Sequence, residues 1–179
     1  MTLYSKWMHK EHPEAVRIAA MLVAGVVFLI LIPYVIIVVC PNWDRRLGLP
    51  DLDFGAINYI IGGVLIGVGM FFGLWSNLTQ LTRGRGTPLP MLPTQELLIG
   101  GPYRYCRNPM TLGAILAYLG LGILVGTVTG IGLVLCFAGV LILYLKLLEE
   151  KELAERFGEA YLQYKREVPF ILPLLPKKQ

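Results

Sequence analysis

The stretch TLGAILAYLGLGILV (residues 111–125), GTVT (126–129) and GIGLVLCFAGVLILYLKLL (130–148) decides the fold. Two apolar runs parted by four turn-forming residues read as a tight helical hairpin. No charged side chain interrupts it before Lys146. The second arm has the length that crosses a bilayer, about 20 residues; the first is short for that and is expected to be shielded by neighbouring helices. Two further apolar runs lie upstream, at 15–39 and 56–78. The first contains Pro33, which predicts a kink that surrounding helices accommodate. It is also too long for the apolar core of a cleaved signal peptide.

Composition agrees with a membrane protein. Apolar residues make up 55% of the 179-residue chain and charged residues 16%, against about 25% charged in ordinary soluble domains. The expected fold class is therefore all-α: a polytopic membrane helix bundle of about four transmembrane helices. It has a tight C-terminal hairpin and, beyond it, an amphipathic helix on the cytoplasmic face. That last helix is suggested by Leu153, Phe157, Tyr161 and Tyr164, an apolar and aromatic stripe interrupted by Gly158. Residues 1–179 are read as one domain, with 1–78 supplying two spans and 79–179 a loop, the hairpin and the cap.

Four spans put both termini on one side. Fourteen of the sixteen Lys and Arg residues then fall on that side, leaving only Arg45 and Arg46 on the other. An excess of basic residues marks the cytoplasmic side. In the second run, Gly63 and Gly67 form one G-x-x-x-G and Gly69 and Gly73 another. Such pairs let helix backbones approach closely in lipid. Residues 83–93, rich in Gly and Pro, read as a loop at headgroup level. Cys40, Cys106 and Cys136 are far apart, with no His at ligand spacing, so neither a metal partner nor a disulfide is expected. No nucleic-acid partner is expected.

Polar chemistry gathers where the hairpin meets the basic side. GPYRYCRNP (101–109) leads into the third span, and Glu149 and Glu150 follow the fourth. Because the hairpin arms are antiparallel, these two places are neighbours, and Arg104, Arg107 and Asn108 can face the glutamates. Charges near the hydrocarbon boundary are costly unless paired, and often mark function. A structural ion pair pinning the hairpin explains them equally well at this point. Pro109 is suited to open a helix, whose free N–H groups would favour an anion.

GPYRYCRNPM (101–110), followed by Glu149-Glu150 and FGEAYLQYK (157–165), resembles the isoprenylcysteine carboxyl methyltransferase family and the related phospholipid methyltransferases. The resemblance covers roughly residues 95–173. It implies S-adenosylmethionine as cofactor and a lipid or lipidated acceptor arriving from the bilayer. It implies cofactor binding by Leu98, Gly101, Pro102, Tyr103, Arg107, Asn108, Pro109, Glu149, Glu150, Tyr161 and Tyr164, with Arg107 and Glu150 central to catalysis. Arg107 suits the cofactor's carboxylate, Glu150 its amine or ribose, and Tyr103 its cation or adenine. One position departs from the pattern, Thr111 standing where many members have Tyr. Asn108 replaces the His of the isoprenylcysteine branch, and an amide does not act as a general base. Either acceptor is compatible: a prenylcysteine carboxylate, which the 157–165 match favours, or a phospholipid amine, which Asn108-Pro109 favours. A sterol-reductase-like enzyme using a nicotinamide cofactor, and a non-catalytic scaffold, are the competing readings.

Overall fold

A computed structural model describes residues 22–174, except residue 24 and residues 84–96. The start of the first expected span, most of the 83–93 loop and the last basic residues lie outside these. Among the described residues all regular structure is helical. Helix α1 spans Val27–Leu47, α2 Ala56–Arg83, α3 Pro109–Val125, α4 Val128–Phe157 and α5 Glu159–Glu167. Helices α1, α2 and α4 are long and apolar enough to cross a membrane, and α3 is a shorter apolar helix. Together they form the expected membrane helix bundle.

At Pro33, where a kink is expected, α1 runs on as one helix and flanks the proline with two wide turns of i→i−5 bonding, Val27–Leu31 and Val35–Val39. Proline has no N–H to give. The Phe28 carbonyl, five residues before it, accepts instead from the Tyr118 hydroxyl of α3 at 2.7 Å. A side chain of the hairpin thus repairs the backbone where lipid offers no donor.

Helices α2 and α3 touch backbone to backbone. A Cβ added at Gly69 would come within 2.5 Å of the Ala117 nitrogen, and one at Gly113 within 2.6 Å of the Gly73 nitrogen. Gly62 and Gly120 meet in the same way. The contact therefore sets Gly62 and Gly69 against Gly120 and Gly113, a spacing of seven, which returns a helix to nearly the same face, and the expected pair Gly69 and Gly73 flanks Gly113. Gly63 and Gly67, expected to form a packing pair, face open space.

The turn end of the hairpin is nailed to α1 by buried polar groups. Asp44, 3% exposed, accepts from the Thr127 hydroxyl (2.6 Å) and the Thr129 N–H (2.9 Å). It satisfies backbone donors that the first turn of α4 leaves free. Asn58 donates to the carbonyls of Leu52 (2.6 Å) and Ile123 (2.8 Å). Asp44→Ala is expected to cost about 2–3 kcal/mol, because charged hydrogen bonds to buried partners are lost. Asp44→Asn should lose less. Thermal unfolding in detergent measures both, and equal midpoints for wild type and Asp44→Ala would refute the assignment.

Candidate functional site

At the opposite end of the hairpin the loop before α3 is folded by small residues. Gly101 has φ +62°, and a Cβ there would meet the Thr79 hydroxyl at 2.9 Å, so the position needs glycine twice over. Pro102 starts a short 3₁₀ turn, Gly101–Arg104, and is fully buried. Pro109 is the first residue of α3 and is also fully buried. These three shape the loop without lining the cavity beside it.

The cavity, of about 90 Å³, is lined by Leu98, Tyr103, Arg107, Asn108, Glu149, Glu150, Tyr161 and Tyr164, all expected from the sequence. Its remaining walls are Gln80, Leu97, Leu145 and Leu153. Gln80 went unnoticed in the sequence, although Ser76, Asn77, Thr79 and Gln80 form a polar patch at the end of an apolar span. Its Nε2 donates to the Tyr103 hydroxyl at 2.8 Å, while its buried Oε1 has no hydrogen-bond partner among the described residues. An orphaned acceptor of this kind is costly, and a donor from a ligand would relieve it.

Arg107 is the hub. Its Nη1 donates to Glu150 Oε1 and to the Tyr161 hydroxyl (3.3 Å), and its Nε donates to the Val168 carbonyl (3.0 Å). Nη2 has no hydrogen-bond partner among the described residues. The second oxygen of Glu150 pairs with Lys165 at 2.7 Å. Both oxygens of Glu150 therefore hold cations. Glu149, also on the cavity wall, has neither an ion pair nor a hydrogen bond among the described residues. Asn108 spends its Nδ2 on the Phe170 carbonyl (3.0 Å). The Tyr164 hydroxyl donates to the Tyr103 carbonyl (2.7 Å), tying α5 to the loop.

Burial raises the pKa of Tyr103, Tyr161 and Tyr164, so each keeps its proton at neutral pH; Tyr164 gives its own to the Tyr103 carbonyl, and the other two hydroxyls have theirs available to a ligand. Burial also pushes the Cys106 thiol up to about 11, which leaves it inert as a nucleophile. The cavity thus offers an unshared guanidinium nitrogen, an unpaired carboxylate, phenol donors and aromatic surface. That donor set suits a zwitterionic ligand. The volume takes in the polar end of such a molecule, since whole-ligand sites run to about 300 Å³ or more.

Comparison with curated proteins finds no match for this chain. A family model described as phospholipid methyltransferase matches residues 57–160, from the start of α2 into α5. With more than half the chain matched, and the helical bundle in place around it, this is a membrane protein of the phospholipid methyltransferase family.

Proposed function

We propose that the chain transfers the methyl group of S-adenosylmethionine to a lipid acceptor that reaches the cavity from the bilayer, at the cytoplasmic face. The observation that carries this reading is the convergence of Arg107, Glu149, Glu150 and three tyrosines on one cavity at the polar end of the hairpin. When bound, the sulfonium cofactor supplies an electrophilic methyl whose C–S bond breaks as the bond to the acceptor forms, the electron pair staying on sulfur. Holding the two reactants in line and dry is then the protein's main task. Arg107 Nη2 takes the donor's carboxylate, and Glu149, whose oxygens are uncommitted, takes its amine. Glu150 fixes the guanidinium. The Tyr103 and Tyr161 hydroxyls, which accept from Gln80 and Arg107, have their protons to donate, and the tyrosine rings present aromatic faces to the cation. The excess of basic residues at this end supports a cytoplasmic position for it and for both termini.

The family description and the Asn108-Pro109 step favour a phospholipid amine as acceptor. The 157–165 match keeps prenylcysteine-carboxylate methylation as the second reading. Methyl-labelled S-adenosylmethionine incubated with the protein and a total lipid extract is expected to yield a labelled, methylated aminophospholipid. Label appearing only on an added prenylcysteine would select the second reading. S-adenosylhomocysteine should raise the unfolding temperature, by up to about 2.7 kcal/mol of stabilisation at a hundredfold excess over Kd. Absence of any shift at millimolar ligand would favour a scaffold, and a shift with NADPH alone a reductase-like enzyme.

Gln80→Leu is expected to reduce turnover about 3–10-fold while leaving the unfolding midpoint nearly unchanged, since the loss of the bond to the Tyr103 hydroxyl is offset by removal of a buried oxygen without a partner among the described residues. A fall in midpoint with normal turnover would show that Gln80 serves packing only.

A further inference from the structure

Residues 168–174 lie beyond the family match, yet they are bonded to the loop before α3 at four points. The Arg107 N–H donates to the Pro169 carbonyl (2.9 Å) and the Leu174 N–H to the Tyr105 carbonyl (3.0 Å). Arg107 Nε reaches the Val168 carbonyl and Asn108 Nδ2 the Phe170 carbonyl. Alongside these bonds lies the Phe170 ring, with two cations over it. The Arg107 guanidinium carbon is 5.5 Å from its centroid and Lys146 Nζ is 5.1 Å. One side chain thus joins the loop, the exit of α4 and the C-terminal strap.

We propose that Phe170 is a positioning residue: its ring and carbonyl hold Arg107 and Asn108 so that the guanidinium edge left free by Glu150 and Val168 stays available to an anionic ligand group. The identity of that ligand rests on the cofactor reading above. The electrostatics require an aromatic ring here. Two like charges drawn to one small region repel each other, and the negative π face of the ring attracts both without adding a charge to be buried. Leucine would fill comparable space without that attraction. The strap's backbone bonds to Arg107 would then lose the contact that keeps them in register.

The test uses the full chain in detergent as wild type, Phe170→Leu and Phe170→Trp. Amide hydrogen exchange is followed over residues 103–110, and S-adenosylhomocysteine binding and donor kinetics are measured in parallel. Phe170→Leu is expected to speed exchange, to weaken binding and raise the donor KM about 3–30-fold, and to keep kcat at saturation. Phe170→Trp should restore all of these, which a space-filling role does not predict. Unchanged exchange in Phe170→Leu overturns the inference whatever the ligand does. So does unchanged affinity in a variant whose exchange has accelerated, or failure of tryptophan to rescue. If wild type binds no S-adenosylhomocysteine while exchange responds as expected, the cofactor reading falls and the hold of Phe170 on Arg107 stands.

Discussion

Arg107→Ala abolishes methyl transfer, and Glu150→Ala does the same, as the expected result of two assays on purified protein. The side chains are only 10% and 11% exposed and paired with each other. Removing one leaves the other charge nearly buried. For Glu150, Lys165 remains as a more exposed partner; for Arg107, no other carboxylate among the described residues pairs with it. Breaking a pair of this kind costs about 2–5 kcal/mol, so each single variant should also melt earlier. That loss of stability would obscure the functional effect. The double variant Arg107→Met with Glu150→Leu separates the two, because replacing both partners of a buried ion pair by apolar groups is often neutral for folding. It is expected to melt near wild type and to bind no S-adenosylhomocysteine. Wild-type turnover in the double variant would mean that the pair only pins the hairpin, and the cavity would have no claim to be the active site.

The second large effect concerns the bundle. Gly69→Leu or Gly113→Leu should prevent α2 and α3 from docking, at a cost of about 3 kcal/mol or more. The atoms that a side chain would strike are backbone atoms of the facing helix, which cannot rotate away. Because α2 carries Gln80 and α3 follows Arg107 and Asn108, the cavity goes with the interface. Gly63→Leu and Gly67→Leu are the internal controls, since both positions open onto free space. They are expected to fold and turn over normally. Elution profile and unfolding midpoint in detergent decide the matter, and a well-folded Gly69→Leu protein would show that the backbone contact is dispensable.

Legibility in the sequence followed interaction range. The apolar runs, the hairpin turn and the paired motifs are local patterns, and so the bundle, the meeting of Arg107 with Glu150, and most of the cavity lining could be read from them. Gly101, Pro102 and Pro109 were legible as special residues, and the structure places them in the fold of the loop beside the cavity, outside its lining. Glycine and proline act on the backbone, so they shape a loop as readily as they touch a ligand. Of the two glycine pairs, Gly69 and Gly73 do meet α3 at Gly113 while Gly63 and Gly67 face open space: a spacing of four identifies candidate faces, and only the rotation of one helix against another selects among them.

By itself the sequence determined that this chain lives in a bilayer, where its helices turn, and which charged residues gather at the basic end. Hydropathy, turn chemistry and charge sign are properties of short segments. Tertiary structure alone decided which glycines touch, that Gln80 enters the cavity from α2, that Glu150 is committed to two cations while Glu149 has no such partner among the described residues, and that residues 168–174 clasp the loop. Each of these depends on the relative placement of segments distant in the chain, which in lipid is set by packing and by the need to satisfy every buried polar group.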